Sequence, residues 1–286
     1  MARGAPVAYQ GEPGAYSEEA ALGYFDEGSV TPLPMPTFSA VCGAVADGRA
    51  VAAVVPLENS LAGTVGEALD ALVRTDLTVV GEVLLAVRHN LLAAPGGTLE
   101  GIRRVASHRQ ALAQCERFLA RHDWEPVVAE DTAGAARELA ASGDRETAVI
   151  ASERAASRYG LVTLAHDIQD DAGNQTRFGV IARSPGDPPT ATGPLAPRPG
   201  APRSSLVLFE TRHQPGALHH ALGALAEAGV NLSRIESRPT GRVRWEYRFL
   251  VGLDGDAAAE PLRAALEELA NRAHDVRVLG SFPSAG

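Results

Sequence analysis

The feature that most constrains the fold is a proline-rich stretch, "SPGDPPTATGPLAPRPGAPR", from Ser184 to Arg203. Its seven prolines and few large apolar side chains are typical of a semi-rigid linker. It divides the 286 residues into parts of about 183 and 83 residues, each long enough to bury a core of its own. We therefore expect two domains joined by a linker over residues 184–203.

Composition narrows the classes of function. With 45% hydrophobic and 21% charged residues, the chain is ordinary for a soluble globular protein. All 26 basic residues are Arg, and the lack of Lys excludes Schiff-base chemistry, pyridoxal phosphate attachment and a P-loop. The net charge of -9, without any basic cluster, argues against a nucleic-acid partner.

Cysteine and histidine spacing predicts no metal site. Cys42 and Cys115 have no metal-ligand spacing, and the adjacent His219 and His220 diverge by about 100° on a helix. The N-terminal residues have no apolar signal-peptide core, and no stretch reaches 18 apolar residues. We expect a cytoplasmic protein with reduced cysteines and no membrane contact.

Apolar periodicity predicts an α/β first part and a different second part. In the first part, short apolar runs alternate with helical patterns, which is typical of an α/β sheet. Strands are expected at 6–10, 51–55, 77–87, 105–107, 127–129, 148–152 and 178–182, and helices at 17–24, 37–46, 111–121, 132–141 and 153–159. The second part reads βαββαβ, the ferredoxin-like plan, with strands at 205–210, 231–237, 244–253 and 275–280 and helices at 216–228 and 257–273.

The segment "NQTRFGVI", residues 174–181, places a Thr and an Arg side by side where a loop enters an apolar strand. A hydroxyl donor beside a carboxylate-binding Arg suits an anion that must lose an oxygen. A strand start with a solvated Arg explains the same tripeptide, so this segment alone does not decide its function.

Six segments together resemble one family. They are "GEPGAYSEEAA" (11–21), "VPLENSLAGTV" (55–65), "SHRQALAQC" (107–115), "NQTRFGVI", "PGAL" (215–218) and "ESRP" (236–239). In order and spacing they are similar to the prephenate dehydratases, which convert prephenate to phenylpyruvate in phenylalanine biosynthesis without a cofactor. The resemblance implies a two-lobed, periplasmic-binding-protein-like α/β catalytic domain and a C-terminal ferredoxin-like ACT domain.

The resemblance also implies domain bounds. The catalytic domain is expected over 1–183, with lobe 1 at about 5–78 and 166–183 and lobe 2 at about 79–165. The ACT domain is expected over 204–286. Because the first strand begins by residue 6, no chorismate mutase domain fits ahead of it, and we expect the monofunctional form.

Three adjacent residues are the catalytic candidates that the resemblance implies. Thr176 is expected to donate a hydrogen bond to the departing oxygen, and Arg177 to fork onto a substrate carboxylate. Since neighbouring strand residues face opposite sides, both reach the cleft only if the backbone is irregular there. Phe178 is expected to line the ring pocket or to pack in the core.

Substrate-binding candidates lie at the starts of helices and the ends of strands. Asn59 and Ser60 are expected to be ligands, and Glu58 to orient a neighbouring donor, because a bare carboxylate repels a dianion. Tyr16 and Ser17 open a helix whose amides can hold a carboxylate, although a simple N-cap explains them equally. The remaining candidates are Thr64, Ser107, His108, Gln110 and Asn174, with the role of His108 left open between ligand and structural residue.

An amino-acid site is implied in the ACT domain. Phenylalanine is the expected inhibitor, bound at an interface in a homodimer or homotetramer; the alternative is that this domain only dimerises. The site residues carried over are Gly216, Ala217, Leu218, Asn231, Glu236, Ser237, Arg238 and Pro239.

Alternatives remain open at this stage. Arg109 stands where the family usually has Pro, and it can alter the turn or add positive charge near the cleft. Arogenate dehydratase, whose substrate carries an amine, is not separable from prephenate dehydratase by any residue here. A non-enzymatic sensor is the alternative of a different class, since solute-binding proteins share such two-lobed clefts.

Overall fold

The computed structural model of the chain describes residues 4–241 and 246–285, which form two lobes and a C-terminal domain. The sheet of lobe 1 contains a central antiparallel strand contributed from late in the chain. Its elements are β1 (Ala5–Gln10), α1 (Tyr16–Phe25), β2 (Val30–Met35), α2 (Phe38–Ala46), β3 (Ala52–Asn59), β4 (Gly63–Thr64), α3 (Gly66–Val73), β5 (Thr78–Ala86) and β11 (Gln175–Ala182). The strand order is β2-β1-β3-β11-β5, with β4 paired to β3.

Lobe 2 is a second mixed α/β unit inserted between β5 and β11. It contains β6 (Asn90–Ala93), β7 (Arg104–His108), α4 (Arg109–Ala113), α5 (Glu116–Leu119), β8 (Glu125–Ala129), α6 (Thr132–Ser142), β9 (Thr147–Ala151), α7 (Glu153–Tyr159) and β10 (Val162–Ala165). The strand order is β10-β6-β9-β7-β8.

The C-terminal domain confirms the predicted βαββαβ order. It contains β12 (Arg203–Glu210), α8 (Ala217–Glu227), β13 (Leu232–Pro239), β14 (Tyr247–Asp254), α9 (Leu262–Arg272) and β15 (His274–Pro283). Its antiparallel sheet has the order β13-β14-β12-β15. The predicted strand start at residue 244 lies outside the described residues. The last helix, α9, begins after Pro261 and not at residue 257, because a proline disfavours the helical conformation of the residue before it.

The crossing between the lobes comes later than predicted. We expected the chain to leave lobe 1 near Val79, but β5 pairs with β11 along its whole length and completes the first sheet. The reason is burial: Val79, Val83 and Leu85 pack into the cores of lobe 1. The chain therefore crosses over at residues 87–89 and returns between β10 and β11.

Two local predictions are wrong for identifiable reasons. The helix predicted at 111–121 is broken into α4 and α5, because the Gln114 carbonyl accepts from the Asp170 amide (2.7 Å) and the Asp170 carboxylate caps the Arg117 amide. The proline-rich segment packs after all: Leu195 sits against the bare face of Gly23, and its amide donates to the Gly23 carbonyl (2.7 Å).

A shared core joins the C-terminal domain to lobe 1. Helices α8 and α9 pack on one face of the C-terminal sheet. The other face of that sheet packs against β3, α3 and β5 of lobe 1. Leu208, Leu250 and Phe282 meet Leu57 and Leu72 there, all buried. The C-terminal sheet is therefore a structural wall of the catalytic lobe.

This close packing predicts the effect of a single methyl group. A Cβ added at Gly280 would lie 2.0 Å from the Val79 carbonyl oxygen, and neither backbone can retreat. We expect Gly280→Ala to lower the free energy of unfolding by about 2 kcal/mol, within the usual range for overpacking. Gly43→Ala, in α2 with open space around the new Cβ, is the control and should stabilise by about 0.5 to 1 kcal/mol. Equal denaturation midpoints for Gly280→Ala and the wild type would contradict the packing described.

Candidate active site

A cleft of about 560 Å³ lies between the two lobes. Lobe 1 contributes the start of α1, the end of β3, the start of β11, and β4, while lobe 2 contributes the starts of α4 and α6. Of the sequence candidates, those that line this cleft are Tyr16, Ser17, Asn59, Thr64, His108, Gln110, Thr176 and Phe178. The volume suits a single ring-sized organic ligand.

Asn59 has a fixed orientation at the floor of the cleft. Its Oδ1 accepts from the backbone amides of Leu61 (3.1 Å) and Ala62 (2.9 Å). Because amides only donate, the other end of the side chain must be the –NH₂ group. That group lies 2.8 Å from Asn174 Oδ1, 3.0 Å from Thr176 Oγ1 and 3.1 Å from the Gln175 carbonyl, so its two hydrogens are shared among three acceptors.

Thr176 therefore receives a hydrogen bond and keeps its own proton. It lies directly opposite Asn59 in the β3–β11 pairing and is buried, at 8% exposure. Among the described residues, none accepts from the Thr176 hydroxyl, whose oxygen borders the cleft. A hydroxyl that accepts from an amide on one side can donate to a bound ligand on the other.

The amide network continues into lobe 2. Asn174 Nδ2 donates to Gln114 Oε1 (3.0 Å), and His89 Nε2 lies 2.9 Å from the same oxygen. His89 Nδ1 is 2.9 Å from the Tyr16 hydroxyl, which also reaches the Arg88 carbonyl at 2.7 Å. Burial lowers the pKa of His89 and raises the pKa of Tyr16, so both are neutral near pH 7.

The cleft offers neutral donors in place of cationic side chains. Among the described residues that line it there is no Arg, and the charged groups are the acidic Glu67, Glu130 and Asp131. The helix α1 begins after Ala15, which has no side-chain cap, so its first amides are available to an anion. His108 instead caps α4 by accepting from the Gln110 amide (3.2 Å).

Arg177 and Glu58 face away from the cleft, which corrects two expectations. Against β5 the register of β11 is regular from Gln175 to Val180, and the irregularity in its pairing with β3 comes after Arg177, so alternation turns Arg177 to the face opposite Thr176. There its guanidinium pairs with Glu82, which is 3% exposed and also accepts from the Ala285 amide (3.1 Å). Glu58, beside Asn59, likewise faces outward, toward Arg234 (3.8 Å).

Three further candidates hold the site without bordering the cleft. Ser60 Oγ accepts from the Gln175 amide (3.0 Å) and so ties β3 to β11. Ser107 is fully buried, and its hydroxyl donates to the Ile150 carbonyl (2.7 Å). Asn174 is buried behind the cleft as the middle member of the network.

Phe178 both borders the cleft and packs in the core of lobe 1.

Sequence reasoning missed Gln114 and His89. Both border the cleft. Gln114 had a signal, since it follows Gln110 by four residues and so shares a helix face with it. His89 had none: it lies alone in the crossover after β5, and only the tertiary fold brings it to Tyr16 and Gln114.

The loop before α1 is held by lobe 2. Ser152 Oγ donates to the Gly14 carbonyl and Tyr159 Oη to the Pro13 carbonyl, each at 2.7 Å. Arg154 donates to the buried carboxylate of Glu18 (3.1 Å) and to Glu27 (2.7 Å). These contacts place the open start of α1 at the boundary of the lobes.

Strand β13 carries alternate side chains directly onto the catalytic lobe. Arg234 donates to the Leu57 carbonyl (3.0 Å), Glu236 accepts from the Thr64 hydroxyl (2.8 Å), and Arg238 makes two bonds to Asp70. Since Thr64 also borders the cleft, a single hydrogen bond joins a strand of the C-terminal domain to a residue of the active site.

The other effector-site candidates divide between two places. Gly216, Ala217 and Leu218 line a cavity of about 320 Å³ together with Tyr247 and Phe249. Ser237 and Pro239 are exposed on β13 and pair with Phe249 and Tyr247 across the sheet. Asn231 bonds Asp254 (2.7 Å) and does not line that cavity.

Within the described residues, no helix has the length and hydropathy needed to cross a membrane. Over the same part of the chain, no three His, Cys, Asp or Glu side chains converge as metal ligands.

The protein thus combines a two-lobed α/β unit, with an oriented amide and a free hydroxyl at the floor of its cleft, and a βαββαβ domain packed on lobe 1. The prephenate dehydratase family model matches residues 7–186, and the ACT domain model matches residues 205–271. The chain belongs to the prephenate dehydratase family and carries a C-terminal ACT domain.

Relatives support this membership along nearly the whole chain. The Arabidopsis thaliana arogenate dehydratase/prephenate dehydratase 2 is 40% identical, covering 97% of this chain and 72% of that protein. A Komagataeibacter europaeus bifunctional N-acyl-homoserine lactone acylase/prephenate dehydratase is 38% identical, covering 98% and 96%. The crystal structure of an Arthrobacter aurescens prephenate dehydratase in complex with L-Phe is 33% identical, with a TM-score of 0.87 and coverage of 98% and 90%.

The Arg177–Glu82 pair gives a test of the corrected role. Arg177→Met leaves a buried carboxylate without its cation, and we expect a loss of about 2 kcal/mol or more in unfolding free energy. Adding Glu82→Gln should recover most of that loss, with the KM for substrate within about three-fold of wild type. If Arg177 bound substrate directly, the double variant would fold well and still show a KM raised more than about ten-fold.

Proposed function

We propose that the cleft converts prephenate to phenylpyruvate with Thr176 as the donor to the leaving hydroxyl. The observation that carries this is the fixed Asn59 amide, which leaves the Thr176 proton free for the ligand. In the reaction the ring carboxylate leaves as carbon dioxide, its electron pair enters the ring, and the ring hydroxyl leaves hydrogen-bonded to Thr176 and becomes water with a proton taken from solvent. Negative charge grows on that oxygen in the transition state, where a positioned donor is most effective.

Neutral donors hold the two carboxylates in this proposal. The open amides at the start of α1 donate to one carboxylate. The free –NH₂ group of Gln114 and the Gln110 side chain donate to the other. Phe178 borders the cleft as an apolar wall for the ring. Thr176 donates a hydrogen bond and does not need to lose its proton, because an unaided alcohol is a very weak acid.

Replacement of Thr176 tests its role. Thr176→Ala should lower kcat by about 10²- to 10⁴-fold and leave KM nearly unchanged, because the lost contact acts mainly in the transition state. Thr176→Ser keeps the hydroxyl and should retain most of the rate. The measurement is phenylpyruvate formation under saturating prephenate; a change in KM alone would make Thr176 a binding residue.

Regulation by L-phenylalanine is the second part of the proposal. The ACT domain, the cavity at Gly216–Leu218 and the solved relative bound to L-Phe support it. An inhibitor of this kind acts by binding the less active arrangement more tightly. Contacts of Glu236 with Thr64 and of Arg238 with Asp70 are a direct route from β13 to the cleft.

Asp70 lies in neither the cleft nor the effector cavity, but it holds Arg238, an effector-site candidate, so L-phenylalanine binding is measured beside inhibition to separate coupling from binding. Asp70→Asn should keep uninhibited turnover within about two-fold and raise the L-phenylalanine concentration for half-inhibition about five-fold or more, as expected for lost coupling. Glu227→Gln is the matched control, because it breaks a two-bond pair with Arg272 inside the C-terminal domain. Wild-type inhibition of Asp70→Asn would exclude this route.

Substrate preference, assembly and location complete the proposal. Prephenate is the proposed substrate, with arogenate as the alternative, and both are assayed on purified protein. Inactivity of folded protein on both would favour a sensor.

A cytoplasmic homodimer or homotetramer is proposed: the free, buried Cys42 and Cys115 suit a reducing compartment, and light scattering gives the oligomeric state.

A further inference from the structure

His89 lies where the two segments that connect the lobes meet. Its amide donates to Gln169 Oε1, and its carbonyl accepts from the Ile168 amide, both at 2.8 Å. Two residues before His89, the Val87 amide donates to the carbonyl of Asn174 in the returning segment (2.8 Å). The imidazole is 2% exposed and borders the cleft between Tyr16 of lobe 1 and Gln114 of lobe 2.

The polarity of the amide network fixes the tautomer of His89. The Leu61 and Ala62 amides fix Asn59 Oδ1 as an acceptor, so Asn59 Nδ2 donates to Asn174 Oδ1. Asn174 Nδ2 must then donate to Gln114 Oε1. An oxygen faces His89 Nε2 at 2.9 Å, so that nitrogen carries the hydrogen.

The consequence for Gln114 is a fixed orientation. Its oxygen is held by two donors, Asn174 and His89, and its –NH₂ group is left for the cleft. Among the described residues, no group accepts from that –NH₂. On its other side, His89 Nδ1 is unprotonated in this tautomer and lies 2.9 Å from the Tyr16 hydroxyl, whose single hydrogen it shares with the Arg88 carbonyl at 2.7 Å. Burial lowers the pKa of His89, which keeps the imidazole neutral in this arrangement.

We propose that His89 is a positioning residue of the dehydratase reaction: as the Nε2–H tautomer it turns the Gln114 –NH₂ group toward a substrate carboxylate and links that group to Tyr16 across the lobes. The kinetic consequence of this role for His89 rests on the proposed function. His89 touches no reacting atom in this role; it acts through Gln114. Loss of His89 leaves the Gln114 oxygen held by Asn174 alone, so the Gln114 –NH₂ group is placed less firmly and substrate binding weakens in the ground state and the transition state alike.

The tautomer is tested first, without reference to activity. The full chain is labelled with ¹⁵N-histidine, and the His89 signals are identified by their loss in His89→Gln. We expect a neutral ring protonated on Nε2 and not on Nδ1. A ring protonated on Nδ1 alone would overturn the proposal, because Gln114 Oε1 would then face a second acceptor.

Kinetics then separate positioning from a purely structural role. His89→Leu should raise KM about ten-fold with kcat within about three-fold, the effect of one lost charge-assisted hydrogen bond. His89→Gln, which can still donate to Gln114, should stay within about three-fold of wild type in both parameters. His122→Gln is the control, since His122 stacks on Trp124 (3.8 Å) away from the cleft.

A double-mutant cycle identifies the residue through which His89 acts. Gln114→Met removes the proposed donor, and adding His89→Leu to it should raise KM no further. A structural role would instead lower kcat through loss of active protein, leave KM unchanged and show no rescue by Gln; that result overturns the proposal. Inactivity of the wild type on prephenate and arogenate would refute the proposed function, while the NMR result would still decide the tautomer.

Discussion

The active site depends on two backbone amides that hold one side-chain oxygen. Leu61 and Ala62, in the turn after β3, donate to Asn59 Oδ1 and so give the Asn59 side chain a single orientation. That orientation sets the direction of the hydrogen bonds that run from Asn59 through Asn174 and Gln114 to His89. The catalytic proposal for Thr176 and the positioning proposal for His89 are therefore two consequences of the same turn.

The fold explains why such a turn is rigid. β3 and β11 pair antiparallel with Thr176 opposite Asn59, and Ser60 closes the end of the pair by accepting from the Gln175 amide. Behind them, the C-terminal sheet packs directly on lobe 1, and β13 contacts Leu57, Thr64 and Asp70. The contact between the C-terminal domain and the cleft therefore runs through strands and without a flexible connection.

Local sequence pattern predicted the parts of this structure that have local causes. Strand and helix periodicity, the βαββαβ order and the motif segments identified the domains and eight residues of the cleft. The Arg177 prediction failed because it required an irregular backbone, whereas the strand keeps its alternation and buried Glu82 holds the guanidinium on the far side. His89 escaped prediction because its partners, Tyr16 and Gln114, are distant in sequence and come from different lobes.

The most direct test of the account reverses the polarity of the network at its origin. Asn59→Asp preserves the oxygen that Leu61 and Ala62 hold but replaces the –NH₂ donor by an acceptor, so the Thr176 proton would turn toward residue 59 and away from the ligand. The measurement is kcat/KM for prephenate in Asn59→Asp, Thr176→Ala and the double variant. The account predicts that each single change costs about 100-fold or more and that the double variant is no worse than the poorer single one. An Asn59→Asp enzyme with nearly wild-type kcat/KM would contradict it.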